Sequence, residues 1–131
     1  MITVGLSLTG RSCLVVGGGE VALRRITKLI QEEAQIMVVS PAVLPEIATY
    51  HTQGQLQWIE GHYRSEYMVG QQFVIIATDN PVVNAQVMVD AQGAQAFINR
   101  ADVKDDSNWI FGSATTIGDL EISIFTNQVS P

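Results

Sequence analysis

A glycine run set between a β-branched segment and an amphipathic stretch constrains this 131-residue chain more than any other feature. Cys13-Leu14-Val15-Val16 has the composition of a short buried strand, and Gly17-Gly18-Gly19 makes a turn. Val21, Ala22, Leu23, Ile26, Leu29 and Ile30 then recur at helical spacing. The order strand, glycine turn, helix carries the dinucleotide fingerprint G-x-G-x-x-G/A, with Gly17, Gly19 and Ala22 in its small positions. Each has its own reason. Gly17 permits the tight turn out of the strand. Gly19 lacks a Cβ, so the backbone can approach a pyrophosphate. Ala22 lets the helix lie close on the sheet. The free N–H groups at the helix start then face two phosphates. A second strand, Ile36-Met37-Val38-Val39, follows about twenty residues after the glycines, where a βαβ unit requires it. Without that context, the same glycines would fit a structural turn with no ligand.

The rest of the chain continues the alternation. Residues 2–10 read as a leading strand or arm ending at Gly10. Helix one spans about 20–32 by its apolar stripe, and Ser40-Pro41 ends strand two because proline cannot continue a central ladder. A polar helix is predicted over Pro45 to Thr52, a third strand over Leu56 to Glu60, and a short helix over Glu66 to Gly70. Phe73-Val74-Ile75-Ile76-Ala77 is a continuous apolar run, as in a parallel strand covered on both faces. Thr78-Asp79-Asn80-Pro81 exits it and caps a helix near 82–92, which Gly93 is expected to end. Ala96-Phe97-Ile98-Asn99 is a fifth strand, and 100–108 a polar, acidic loop. Trp109 to Thr116 and Leu120 to Phe125 read as two strands of a hairpin around Ile117-Gly118-Asp119.

This pattern predicts an α/β fold: a Rossmann-type, doubly wound parallel sheet with a C-terminal β-hairpin extension. Residues 1–112 are expected to form the dinucleotide-binding domain and 113–131 a separate hairpin segment. Ligands of such sheets bind beyond the carboxyl ends of the strands, in loops 17–22, 40–45, 77–81 and 99–108.

Bulk properties remove several classes. A net charge of −6 argues against nucleic acid, whose phosphates need a basic surface, and against an anionic membrane surface. No apolar stretch reaches the roughly 18 residues of a membrane span, and the N-terminus lacks the order of a signal peptide. Cys13 is the single cysteine, which excludes an intramolecular disulfide and fits a reducing compartment such as the cytoplasm. Its place in a strand reads as a small core residue. His51 and His62 have no second ligand at metal spacing and read as structural.

The loops together resemble the precorrin-2 dehydrogenase and sirohydrochlorin ferrochelatase family of siroheme synthesis. The resemblance rests on Leu14 to Arg25, Val38-Val39-Ser40-Pro41, Val74 to Pro81 with Asn84, Asn99 and Asp102, Ile110-Phe111, Leu120 to Ile124, and Ser130-Pro131. It implies an NAD-binding domain that oxidises precorrin-2, a tetrapyrrole polycarboxylate, to sirohydrochlorin. In many members ferrous iron is then inserted as a second substrate. It also implies a homodimer. The family continues past Ser-Pro into a dimerising, helical part, of which this sequence is read as holding only the start.

The resemblance places the cofactor against Gly17, Gly18, Gly19, Glu20, Val21, Ser40, Pro41, Thr78, Asp79 and Asn99. It makes Asp102 the catalytic acid or base, since dehydrogenation releases a proton with the hydride and metal insertion releases two pyrrole protons. By residue type alone, Asp102 belongs to a solvated acidic loop with Asp105 and Asp106. Ser40 stands where many dinucleotide folds carry an acid for the ribose hydroxyls. A serine gives little selection between cofactors, and no arginine follows it to hold a 2′-phosphate, so NAD is expected. Asp79 and Asn80 can line the cofactor site, cap the next helix, or both. Arg64, Arg100 and Lys104 are candidate contacts for substrate carboxylates, and at least one of Arg24 and Arg25 reads as surface charge. The sequence departs from the family in places: Glu33 stands where a glycine usually ends the first helix, Gly112 lies beside Phe111 where a proline often follows the Phe-x-x segment, and Asn127-Gln128-Val129 stand where glycines often precede Ser-Pro. A different class of function also fits the glycine loop, an NAD-binding regulatory module without catalysis. Such modules generally carry an acid after strand two, which Ser40 does not supply.

Overall fold

The computed structural model describes residues 1–125. Its elements are β1 (Ser12–Val16), α1 (Glu20–Gln31), β2 (Gln35–Ser40), α2 (Pro45–Thr52), β3 (Gln57–Glu60), β4 (Phe73–Ile76), α3 (Pro81–Gly93), β5 (Phe97–Arg100), β6 (Ser113–Ile117) and β7 (Leu120–Ile124). Short 3-10 turns lie at Ser65–Met68 and Lys104–Asp106. The first five strands form one parallel sheet in the order β3-β2-β1-β4-β5. The chain leaves β1 toward β2 on one side, then returns to place β4 on the other. The two crossovers part at the carboxyl ends of β1 and β4, which is where a parallel sheet opens a ligand crevice.

Strand alternation divides the core in two. Cys13, Val15, Ile36, Val38, Phe73 and Ile75 face one side with Ala22, Ile26 and Leu29 of α1 and Ile47 of α2. Leu14, Val16, Val39, Val74, Ile76 and Ile98 face the other, with Val87 and Ala91 of α3 and Met68. Burial on both faces is why the central strands read as unbroken apolar runs.

All three helices close with the same backbone pattern. The residue after the cap turns left-handed, and two amide bonds reach back: Glu33 to Ile30 and Ala34 to Leu29, Gly54 to His51 and Gln55 to Tyr50, Gln95 to Gln92 and Ala96 to Ala91. The left-handed residues are Glu33 (φ 58°), Gly54 (φ 77°) and Gln95 (φ 55°). Glu33 therefore occupies the glycine position with glycine's conformation. α3 ends at Gly93, as expected, but the left-handed reversal falls two residues later, at Gln95.

The leading segment is an arm without regular structure, anchored by buried Leu8 and by a bond from the Gly10 amide to the Glu33 carbonyl. Strand β6 starts at Ser113, not Trp109. Residues 109–111 instead plug the core. Trp109 packs against Phe73 and Phe111, with ring centroids 5.1 and 4.9 Å away, and its Nε1 donates to the Val74 carbonyl at 3.4 Å. The outer edge of β5 is closed by the loop that follows it. The Ile98 amide donates to Asn108 Oδ1 (2.6 Å), the Asn108 amide to the Ile98 carbonyl (2.8 Å), and the Arg100 amide to Ser107 Oγ (2.8 Å). Side chains thus complete the ladder where a sixth strand would lie. The β6–β7 hairpin turns at Gly118-Asp119, and every residue of both strands is exposed.

Candidate active site

Each of the three glycines has a different environment. Gly17 leaves β1 with φ 130°, and a Cβ there would lie 2.7 Å from the carbonyl carbon of Ala77. Gly18 faces the opposite wall, where a Cβ would sit 2.7 Å from Val43 Cγ1, and its carbonyl accepts from the Leu44 amide at 2.9 Å. Gly19 is exposed, with nothing within 4 Å of its Cβ position. Two glycines bring neighbouring loops together, and the third leaves an open face.

That open face is the start of α1. Gly19 is the N-cap and no side chain caps it; the Leu23 amide is the first to find a helical acceptor, the Gly19 carbonyl. Among the described residues, the amides of Glu20, Val21 and Ala22 find no partner, so three donors and the positive helix end face outward together. At the start of α3 the opposite holds: Asn80 Oδ1 accepts from the Val82 and Val83 amides at 3.0 and 3.3 Å. The start of α2 also lacks a side-chain cap but has Pro45 at its first turn, whereas the start of α1 is unblocked with a bare glycine beside it. Those residues fit a dinucleotide pyrophosphate.

Ser40 ends β2 and is buried. Its hydroxyl donates to the Ala42 carbonyl at 2.6 Å, and its carbonyl accepts from Trp58 Nε1 at 3.0 Å. The side chain thus shapes its own turn and leaves only lone pairs to a ligand; Pro41 follows on the surface. Thr78 is also engaged internally. Its hydroxyl donates to Asn84 Oδ1, while Asn84 Nδ2 donates to the Thr78 carbonyl at 3.0 Å. Asp79 is exposed between them and the cap, so of the pair Asp79-Asn80 only Asn80 caps α3. Asn99, 4% exposed, donates from Nδ2 to the Trp109 carbonyl at 3.1 Å, and among the described residues its Oδ1 has no partner. A buried amide oxygen without a donor is an acceptor held ready for a ligand or water.

Asp102 follows β5 and is gripped by Arg100. The guanidinium Nε reaches Asp102 Oδ1 at 2.7 Å and one terminal nitrogen reaches Oδ2 at 3.2 Å, while the other holds Asp106 Oδ2 at 2.8 Å. The Arg100 hydrogen bond, and after it one from the Asn84 amide, hold the Asp102 carboxyl below the usual carboxylate range against the opposing effect of burial. Asp102 is therefore ionised at neutral pH.

Arg100 is not a free cation awaiting a substrate carboxylate: its side chain is 11% exposed and already serves two acids. Arg64 pairs with Glu66 at 2.7 Å on the surface. The side chain of Lys104 and residues 126–131, including Ser130-Pro131, lie outside what the structure describes. Arg24 is exposed, whereas Arg25 is half-buried with its guanidinium 4.7 Å from the Phe111 ring centre; desolvation, then repulsion from Arg24, lowers its pKa. His51 Nδ1 accepts from the Trp58 amide at 3.2 Å, a structural role, and His62 is exposed. Sequence reading missed Asn84 as a hub and Arg100 as a clamp. Asn84 left a signal: it is the one polar residue among the buried positions of α3, with Val87 and Ala91.

Comparison with known proteins agrees with this geometry. A family model described as putative NAD(P)-binding matches residues 4–113. The siroheme synthase of Photorhabdus laumondii subsp. laumondii is 36% identical over 130 residues, covering 99% of this chain and 28% of that protein. The precorrin-2 dehydrogenase of Priestia megaterium is 37% identical over 131 residues, covering 100% and 64%. A solved structure of SirC, precorrin-2 dehydrogenase, superposes with a TM-score of 0.91 at 37% identity, covering this whole chain and 64% of that one. The chain thus spans under two thirds of the length of each of these relatives. With its parallel sheet, its uncapped helix start and a matching family model over most of its length, this chain belongs to the putative NAD(P)-binding family.

Proposed function

We propose that this chain is the NAD-binding part of an enzyme that oxidises precorrin-2 to sirohydrochlorin. The observation that carries the reading is the pairing of the uncapped, glycine-flanked start of α1, at Gly19 to Ala22, with an ionised carboxylate, Asp102, on the loop after β5. NAD, when bound, accepts the hydride. The amides of Glu20, Val21 and Ala22 hold its pyrophosphate, and Gly17 and Gly18 keep the loops around it packed. Asp102 takes the proton that dehydrogenation releases, and the Asn99 amide oxygen supplies an acceptor within the site. Ser40 supports NAD over NADP, because neither its inward-turned hydroxyl nor a following arginine holds a 2′-phosphate.

Ferrous iron insertion into sirohydrochlorin is a proposed second step, with Asp102 receiving pyrrole protons. Residues 1–112 form the cofactor domain in this reading and 113–131 open a dimerising segment. A homodimer is supported by the apolar groove between the leading arm and Phe97, Trp109, Ile110 and Phe125, and by the uncovered hairpin. The buried free thiol of Cys13 fits a cytoplasmic setting.

The test is an anaerobic assay of NADH formation from NAD and precorrin-2. A rate that requires both components sustains the reading. Calorimetric NAD binding with no turnover would replace it with the regulatory module.

A further inference from the structure

Arg100 occupies an unusual place for a cation. It is the last residue of β5, its amide tied to Ser107 and its side chain enclosed to 11% exposure. A guanidinium so enclosed needs partners, and it has two carboxylates on one planar fork. The bond to Asp102 is two-pronged, which fixes the plane of that carboxylate as well as its position. The bond to Asp106 comes from the other side of the fork and pins the guanidinium itself.

Resting on the reading of Asp102 as the proton acceptor, we propose that Arg100 is its positioning residue, fixing the orientation of the Asp102 carboxylate at the cofactor crevice while Asp106 holds the fork in place. Arg100 touches neither cofactor nor substrate in this role. Among the described residues, the groups that face the Asp102 carboxylate are Arg100 from β5, Asn84 from α3 and its own backbone amide; Asp106, from the 3-10 turn, acts through Arg100. Only Arg100 among the first three is charged. Its removal takes the shared guanidinium away from two acids, so the proton affinity of Asp102 must rise.

The test compares the full chain with R100Q, R100K and D102N, by steady-state kinetics across pH and by carbon-13 NMR titration of the Asp102 carboxyl. For R100Q the expected result is a kcat lower by about tenfold or more with KM little changed, since misplacing a reacting group costs on this scale. Its acid limb and the NMR midpoint of Asp102 both move to higher pH. R100K restores the charge but not the fork, so its midpoint returns most of the way while kcat stays low. If R100Q raises KM and leaves kcat intact, Arg100 binds substrate and the proposal falls. An unmoved Asp102 midpoint in both variants also overturns it. A D102N chain at full rate would remove the underlying reading instead, and the NMR titration still reports on Arg100 in a chain that shows no turnover.

Discussion

Gly17 crosses the backbone of Ala77 with no room for a side chain between them. The approach places the exit of β1 against the exit of β4, and so brings the glycine loop to the loop that carries Thr78 and Asp79. Gly19, two residues on, faces open space. Gly17→Ala is expected to destabilise the fold by about 1–3 kcal/mol through clash and backbone strain. Gly19→Val should cost under about 1 kcal/mol, as an N-cap change does, yet weaken NAD binding at least about tenfold by filling the phosphate approach. Thermal melting and calorimetry on the two variants separate these effects; equal NAD affinity in Gly19→Val would remove the phosphate loop.

Asp102→Asn keeps the side-chain shape and removes the acceptor charge. Turnover should fall roughly a hundredfold, the usual scale of a general-base contribution, with NAD affinity unchanged. Initial rates and calorimetry on the same preparation check this.

Glu33 and Gln95 hold left-handed positions that suit glycine. Glu33→Gly and Gln95→Gly should each stabilise the chain by about 0.5–1 kcal/mol, because relief of the Cβ penalty outweighs the added freedom of the unfolded chain. Urea midpoints that fall instead would show that these side chains contribute contacts of their own.

Burial pushes the Cys13 thiol up from its ordinary 9.0 to about 12. The folded state holds this proton more tightly than the unfolded state. Its stabilising effect is therefore complete below about pH 9 and is lost as pH rises toward about 12. Tyr63, also pushed up by burial and by Asp90, acts in the same direction. Melting temperature followed upward from neutral pH should fall less steeply in Cys13→Ala than in the parent. The native thiol should also resist a disulfide reagent.

Ile122 lies on the β6–β7 hairpin, whose strands are exposed throughout. Ile122→Glu should abolish the proposed self-association without altering the melting temperature appreciably, since the residue is 44% exposed in the single chain. Sedimentation equilibrium across concentration reads the result.

Element order, the glycine turn and the hairpin were legible in the residues because each rests on local chemistry. Periodicity separates α1 from β1, apolar runs mark β1 and β4, and Asn80-Pro81 signals the start of α3. What the residues misplaced traces to backbone details that side chains advertise poorly: the left-handed turn after α3 falls on Gln95 and not on Gly93, and Trp109 leaves its expected strand to fill the core. What only the tertiary structure decided is the identity of neighbours. It set Gly18 against Val43, left the start of α1 open while closing that of α3, and turned Arg100 from a candidate substrate contact into the clamp on Asp102 and Asp106. The Gly18–Val43 contact joins residues far apart in sequence, and the fate of Arg100 turned on the direction its fork takes once the loop after β5 has folded back. Spacing along a chain specifies neither, whereas packing of one parallel sheet fixes both.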